Sequence, residues 1–368
     1  MEKEKNFQKI FIIYFCVLLA FVGIRIASNL GAFDGMNDLV ADLVSTLIIQ
    51  IGILFLLPFA MYVLMTKQKP KQMFKDFGYK KINAKAVLIC FAIGILVYIL
   101  NIFVANFFSI IIHLSGFNFG TSSGSLPYQT FPQFLLGLFS IAVLPALCEE
   151  FLHRGMLLRG TAGTIGYKQA IVLSSIMFGL MHLNIQQVFY ATILGLLMGL
   201  LVTLTRSIVP SIIVHFCNNA INVYMSYAEA NGYFGSGLSS ALNSVANSSM
   251  ILFFLMSTVV LFICIVAIIF LMKKLYLETQ AKQQLENLEQ IESQIRNGDE
   301  NMTDRDVIMA FEKYVFPNMK TPKNRLDLYL NDKKKYKKLD FAYKIPTICC
   351  IFMATVITLY TFLWGCVW

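Results

Sequence analysis

The amino-acid sequence predicts an all-α polytopic membrane protein of about nine transmembrane helices, with a helical cytoplasmic insert between the last two. Of the 368 residues, 57% are hydrophobic and only 14% are charged, whereas soluble proteins average about 25% charged residues. A soluble fold of this size could not bury so much apolar surface in its core. The apolar residues are also gathered in runs of about 20, the length of helix that crosses a bilayer.

The apolar runs define the predicted spans in order along the chain. They are Ile10–Ile26, Leu39–Met65, Ala86–Ile112, Phe134–Leu152, Gln169–Leu183, Val188–Leu204, Ile208–Tyr227, Met250–Met272 and Ile345–Trp368. The fifth and sixth spans are short and only Asn184–Gln187 separates them. We therefore expect one of these two to be tilted or incomplete.

Lysine and arginine predict the orientation of the spans, because cytoplasmic loops of membrane proteins are enriched in both. Neither residue occurs in segments 30–38, 113–133, 184–187 and 227–248, or after Lys344. The alternate segments hold nearly all of them, and only Arg25 lies awkwardly, near the outer end of the first span. The alternation predicts a multi-pass protein of the cell membrane with a cytoplasmic N-terminus and an external C-terminus. It also explains the net charge of +9 without a nucleic-acid partner.

This layout divides the chain into five parts. Residues 1–133 hold the first three spans, residues 134–227 hold spans four to seven, and residues 228–272 hold an outer loop and span eight. Residues 273–344 form the charged insert, and residues 345–368 form the last span. We expect all the spans to contact the lipid bilayer.

The insert 273–344 carries fifteen basic and twelve acidic residues. Apolar residues at helical spacing, from Leu285 to Ile295, predict an amphipathic helix. Thr303 with Asp306 predicts the capping box of a second helix. The basic run Lys333–Lys338 is suited to anionic lipid headgroups, and a solvated loop is the alternative. We interpret the insert as an accessory for substrate docking or for a protein partner.

Polar groups inside the spans are the candidate functional residues, because each costs free energy unless it is paired or functional. Glu149 and Glu150 are the one acidic pair within a predicted span. Glu150 and Arg154 are four residues apart, so they can form an ion pair on one helix face. Glu149 has no such partner, and a carboxylate in a poorly solvated cavity can take and return protons. The alternative is that both glutamates are solvated and inert at the cytoplasmic mouth.

Two histidine pairs follow on neighbouring spans. Phe178 lies one turn before His182, where it would wall a pocket around the imidazole. His215 and Asn219 share one face, and together they could donate two hydrogen bonds to a single oxygen, as an oxyanion hole requires. The alternatives are a hydrogen-bonded structural role for His182 and polar contacts between helices for His215 and Asn219.

These three pairs resemble the motifs of the CPBP family of intramembrane proteases. The family comprises the CAAX prenyl endopeptidases and the bacteriocin-processing or immunity (Abi) membrane proteins. The motifs are E-E-x-x-x-R, F-x-x-x-H and H-x-x-x-N, which begin here at Glu149, Phe178 and His215. The resemblance covers about residues 134–227 and implies that this part is the catalytic core.

The resemblance implies an intramembrane endopeptidase that acts on membrane-associated peptides or proteins. On the family pattern, Glu149 and His182 activate the attacking water, and His215 and Asn219 stabilise the oxyanion. The supporting residues on the same pattern are Glu150, Arg154 and Phe178. An alternative function is a catalytically silent scaffold or a bacteriocin-immunity protein of the same fold. A proton-coupled transporter is less favoured, because no inverted repeat of spans is evident.

The motifs leave the use of a metal open. Glu149, His182 and His215 could ligate zinc with one position unfilled, as a catalytic zinc requires. The H-E-x-x-H signature is absent, and a glutamate–histidine mechanism requires no cofactor. We favour the mechanism without a metal.

His153 departs from the family pattern, because relatives usually carry an aromatic or aliphatic residue there. It lies four residues after Glu149, where it could be an additional ligand or a modulator of the carboxylate. We favour a histidine that reaches the cytoplasmic interface.

The predicted boundaries leave one geometric conflict. Glu149 lies near the cytoplasmic end of the fourth span, whereas His182 lies deep along the fifth, at about 1.5 Å per residue. The two side chains meet only if a span is tilted or broken, or if one boundary is wrong. Pro145 is a candidate position for a kink.

Overall fold

The fold is described by a computed structural model over residues 2–114, 116, 128–281 and 340–367, and these ranges contain helices and no strand. The predicted all-α membrane fold is confirmed. Seven of the described helices are long and apolar enough to cross a membrane, so the number nine stays a prediction. The expected helices at Leu285–Ile295 and after Thr303, and the basic run Lys333–Lys338, lie outside the described residues.

The described helices are numbered here in chain order. They are α1 (Glu2–Asn29), α2 (Asp38–Thr66), α3 (Pro70–Asp76), α4 (Ala84–Leu114), α5 (Phe131–Ile165), α6 (Tyr167–Met181), α7 (Ile185–Thr205), α8 (Val209–Asn231), α9 (Leu238–Ser248), α10 (Met250–Tyr276) and α11 (Phe341–Val367). Three of the long helices contain or continue into π-helical segments: Ile48–Leu56 in α2, Leu138–Val143 and Phe151–Arg159 in α5, and Leu277–Ala281 directly after α10.

Helix α5 corrects the fourth predicted span, which was expected to end at Leu152. The helix begins after a capping box formed by Thr130 and Gln133 and continues to Ile165. The charged residues Glu150 and Arg154 do not end α5, because they form an ion pair with each other within the helix. Glu149 therefore lies near the middle of α5, and the conflict with the depth of His182 is removed.

Helices α6 and α8 explain why the described spans number seven. Helix α6 has only 15 residues, about 22 Å at 1.5 Å per residue, which is less than the hydrocarbon core of about 30 Å. It ends inside the bundle, next to His182, so the fifth predicted span is incomplete, as expected for one of the short pair. Helix α8 has 23 residues and is long enough, but its polar residues make it less apolar than the seven spans.

Segments that carry lysine and arginine meet at one end of the helix bundle, which we name the basic end. There the Arg159 side chain donates hydrogen bonds to the carbonyls of Asp76 at 2.8 Å and Arg206 at 3.3 Å. The Gln280 amide donates to the carbonyl of Thr205 at 2.7 Å, and the Thr164 hydroxyl donates to the carbonyl of Lys3 at 3.1 Å. The basic segments that alternate along the sequence thus come together at this end of the bundle.

Helices α6 and α7 pack closely against each other through glycines. A Cβ on Gly179 would lie 2.6 Å from the carbonyl oxygen of Val188, and a Cβ on Gly195 would lie 3.0 Å from Cα of Ser175. The backbones can approach only because both positions lack a side chain. This packing positions Phe178, one residue before Gly179, in the centre of the bundle.

Candidate active site

A fully buried ion pair lies at the centre of the molecule. Arg154 Nη1 is 2.8 Å from Glu150 Oε1, and both side chains are 0% exposed. The same carboxylate oxygen lies 3.0 Å from His215 Nδ1 on α8, and Arg154 Nη2 donates to the carbonyl of Gly195 on α7 at 3.4 Å. The ion pair predicted from the four-residue spacing is confirmed. It ties α5 to α7 and α8.

The ring of Phe178 contacts polar side chains from α5, α6 and α8. The Arg154 guanidinium carbon lies 4.3 Å from the centre of the ring, a distance at which a cation is attracted to the aromatic face. The imidazoles of His153, His182 and His215 meet the ring edge-on, with centroids 5.1, 5.3 and 5.8 Å away. The predicted aromatic wall beside His182 is confirmed, and it serves the other two histidines as well.

Glu149 lies beside this cluster, and 16% of its side chain is exposed. Its Oε1 accepts a hydrogen bond from Gln50 Nε2 at 3.0 Å. Its Oε2 lies 3.9 Å from His215 Nε2, which is too far for a direct hydrogen bond. One water oxygen can lie about 2.8 Å from both atoms and bridge them. Glu149 and His215 therefore form a pair that can hold a water.

The contacts of His215 determine where its protons are. The Glu150 carboxylate accepts hydrogen bonds, so Nδ1 of His215 carries the hydrogen that points to it. In neutral imidazole, Nε2 is then an acceptor, and it faces Glu149.

His182 is half-buried at the end of α6. Its Nδ1 donates to the carbonyl of Phe178 at 2.9 Å, so Nε2 is again the free ring atom. The next residue, Leu183, has a left-handed φ of 52°, a conformation that costs energy for a leucine. Among the described residues, His215 rather than His182 is the histidine within 4 Å of a Glu149 oxygen.

Asn219 is held by the backbone of α5. Its Nδ2 donates to the carbonyl of Ile141 at 2.9 Å. Pro145, four residues after Ile141, has no N–H with which to make the usual helical bond to that carbonyl. The predicted donor to an oxyanion thus uses one Nδ2 hydrogen to satisfy a backbone group and keeps the second for another acceptor.

His153 is fully buried, so the expectation that it reaches the cytoplasmic interface is wrong. Helix α5 continues to Ile165, which places His153 inside the bundle. Its Nδ1 donates to the carbonyl of Glu149 at 2.8 Å, and its Nε2 lies 3.2 Å from the Tyr14 hydroxyl. The imidazole connects α1 to the backbone of the glutamate.

The predicted zinc ligands do not form a ligand set in this structure. Across the part of the chain that the structure describes, no group of three or more His, Cys, Asp or Glu side chains could hold a metal ion. Within the predicted set Glu149, His182 and His215, the contact within 4 Å that the described residues show is the one between Glu149 and His215. We therefore derive no chemical step through a metal.

Two residues of the cluster were not predicted from the sequence. Gln50 lies in α2 and Tyr14 lies in α1, both far from the three motifs. Gln50 interrupts the apolar run from Leu47 to Phe59, and the rule that intramembrane polar residues are paired or functional would have selected it. Tyr14 gives no comparable signal, because tyrosine is common in membrane helices.

A cavity of about 670 Å³ lies between α4, α5, α8 and α9, on the side of Asn219 away from the basic end. Ile141, whose carbonyl binds Asn219, forms part of its wall. Its polar wall residues are Tyr98, Asn106, Tyr128, Asn222, Ser226 and Glu229.

Comparison with known proteins identifies one family. No curated protein and no solved structure matches the chain. Residues 131–221, about a quarter of the chain, match the family described as Rce1-like, type II CAAX prenyl endopeptidase. This segment contains all three motifs, from Glu149 to Asn219. Over residues 131–221 the chain is therefore similar to a family of membrane peptidases, and the resemblance to the CPBP family is confirmed.

Proposed function

We propose that the chain is an intramembrane endopeptidase that hydrolyses a peptide bond in a membrane-associated peptide or protein. The observation that carries the proposal is the approach of Glu149 Oε2 and His215 Nε2 to 3.9 Å, beside a fully buried ion pair. A partly exposed carboxylate that faces an imidazole inside a helix bundle is suited to activate water.

Glu149 acts as the general base in this proposal. It takes one proton from the bound water while the water oxygen attacks the carbonyl carbon of the peptide bond. Glu149 then returns the proton to the amide nitrogen as the carbon–nitrogen bond breaks. The products are a carboxylic acid and an amine, so water is the only co-reactant.

The histidines and Asn219 support this step. His182, whose ring is fixed by its bond to Phe178, helps to orient the water through Nε2. Asn219 donates its second Nδ2 hydrogen to the oxyanion. His215 can donate to the oxyanion from Nε2 only when both of its ring nitrogens carry a hydrogen, and the Glu150 carboxylate at 3.0 Å accepts the hydrogen bond from Nδ1.

The proposed location is the cell membrane, with the basic end at the cytoplasm, as the enrichment of lysine and arginine favours. The N-terminus then lies inside and the C-terminus outside. The matched family is named for CAAX prenyl substrates, so a prenylated peptide is the first substrate to test. A protein partner for the insert 273–344 stays part of the proposal.

The test uses the full chain in liposomes with a set of lipid-anchored reporter peptides, including a farnesylated CAAX peptide, and detects products by mass spectrometry. We expect Glu149→Gln to lower cleavage at least about 100-fold, because the amide cannot accept a proton. The folded yield should be unchanged, because the amide keeps the shape of the carboxylate. His182→Ala should also abolish cleavage.

Lys81→Ala, an exposed position at the basic end, is the control and should cleave like the wild type. A wild-type protein that cleaves none of the peptides, or a Glu149→Gln protein that cleaves normally, would contradict the proposal and favour a scaffold or immunity function. Metal content and chelator inhibition of the purified protein test the zinc alternative.

A further inference from the structure

Glu149 is held by a residue that none of the three motifs contains. We propose that Gln50 is a positioning residue that fixes one oxygen of the Glu149 carboxylate so that the other faces the reacting water. This inference rests on the proposed peptidase function. Gln50 lies in α2, outside residues 131–221 that match the protease family.

The position of Gln50 is built into the packing of two helices. It lies in the π-helical segment Ile48–Leu56 of α2, and this segment packs against Leu144–Glu150 of α5. The Gln50 residue is only 8% exposed. Its amide therefore approaches Glu149 from within the bundle, on a rigid element.

The chemistry of the contact fixes the orientation of the amide. A carboxylate oxygen can only accept, so Gln50 must turn its NH₂ group toward Glu149, as the 3.0 Å contact from Nε2 to Oε1 shows. The amide oxygen of Gln50 (Gln50 Oε1) then points away from the oxygen that accepts this bond (Glu149 Oε1). It is one of the buried side-chain atoms that have no hydrogen-bond partner among the described residues.

The unpaired amide oxygen of Gln50 indicates why a polar residue occupies position 50. A buried acceptor without a donor is costly, and an apolar residue at position 50 would avoid that cost. The amide nitrogen and the amide oxygen of Gln50 are bonded to the same carbon. The amide oxygen, Gln50 Oε1, is therefore also in the neighbourhood of the Glu149 carboxylate, and a water bound beside that carboxylate can donate a hydrogen bond to it. A polar residue at position 50 is thus explained if its amide binds both the Glu149 carboxylate and the water beside it.

The contact also distinguishes the two oxygens of Glu149. Gln50 holds Oε1, and Oε2 is the oxygen that lies 3.9 Å from His215 Nε2. A carboxylate anchored at one oxygen cannot rotate away from the water between Oε2 and His215. Loss of the anchor should slow the proton transfer, which needs a defined geometry, without weakening substrate binding.

The experiment measures kcat and KM separately, with the cleaved reporter peptide and the full chain in liposomes. Gln50→Met keeps the length of the side chain and removes the amide, and we expect kcat to fall about tenfold or more with KM within about threefold. Gln50→His keeps an N–H donor and should recover part of the loss. Gln50→Glu keeps the shape but replaces the donor by an acceptor, so it should lower kcat at least as much as Gln50→Met.

Thr347→Val is the matched control, because the Thr347 hydroxyl in α11 is another buried group without a partner in the described part of the chain. It should leave kcat and KM unchanged. An unchanged kcat in both Gln50→Met and Gln50→Glu, an increase in KM alone, or equal losses in Gln50→Met and Gln50→His would each overturn the role of Gln50. If instead Glu149→Gln cleaves normally, the peptidase proposal itself fails, so the two failures are distinguishable.

Discussion

Arg154 makes three contacts with different elements at the centre of the bundle. It pairs with Glu150, donates to the carbonyl of Gly195, and lies over the ring of Phe178. We expect Arg154→Ala to destabilise the fold by about 3 kcal/mol or more, because it leaves the Glu150 charge buried and uncompensated. The measurement is the yield of monodisperse protein and its thermal unfolding midpoint in detergent.

Arg25→Ala is the control for Arg154→Ala, since it removes an arginine from an exposed position near the end of α1. It should change neither the yield nor the midpoint. Equal stability of the two variants would show that the ion pair contributes nothing to the fold.

Contacts within one turn of a helix were predictable at the residue scale, and contacts between helices were not. The Glu150–Arg154 pair and the wall of Phe178 beside His182 follow from a spacing of four residues. The burial of His153 depends on Tyr14, 139 residues away along the chain, and no local spacing reports such a partner. The bond from Gln50 to Glu149 spans 99 residues and escaped prediction for the same reason.

The α6–α7 pair is the element whose packing is most sensitive to a small substitution. We expect Gly179→Ala to destabilise the protein by about 1–3 kcal/mol, because the added Cβ would lie 2.6 Å from a backbone oxygen that cannot move alone. The shift should also displace Phe178 and lower peptidase activity. Thermal unfolding and the cleavage assay measure the two effects.

Gly163→Ala is a matched substitution in α5, where a Cβ would meet no atom within 4 Å. It should leave stability unchanged or raise it slightly, because alanine favours a helix over glycine by about 1 kcal/mol. A Gly179→Ala protein as stable as Gly163→Ala would mean that α6 and α7 can separate without cost.

Helix boundaries were less predictable than the helices themselves. The apolar runs located each described span, but α5 continued through Arg154 and Arg159, where charges suggested its end. A charge ends a membrane helix only when it must reach water, and Arg154 is satisfied inside the bundle. The π-helical segments on either side of Glu149 were also not predictable, because they depend on packing between helices rather than on local preference.

For the whole molecule, composition and apolar runs were sufficient to predict an all-α membrane protein, since runs of about 20 apolar residues fit membrane helices and are about twice as long as barrel strands, and a helix satisfies its own backbone in lipid. The positions of lysine and arginine further predict which end faces the cytoplasm. We expect an introduced Lys81→Cys to react with an impermeant thiol reagent only from the cytoplasmic side, and Ser236→Cys only from the outside. Labelling of intact cells and of inverted vesicles, with the native cysteines replaced by alanine, measures this.

The control is the cysteine-free protein, in which every native cysteine is replaced by alanine and no new cysteine is introduced. It should take up no label. Labelling of both introduced cysteines from the same side would contradict the proposed arrangement of the spans.

The hydrogen bond from Asn219 to the carbonyl of Ile141 has a consequence for how α5 and α8 can move. Pro145 removes a donor from within α5, and the replacement comes from the neighbouring helix. If the helices slid past each other, the Ile141 carbonyl would lose this donor and would need another. The contact therefore favours one axial register of α5 and α8, the register in which both glutamates lie beside His215.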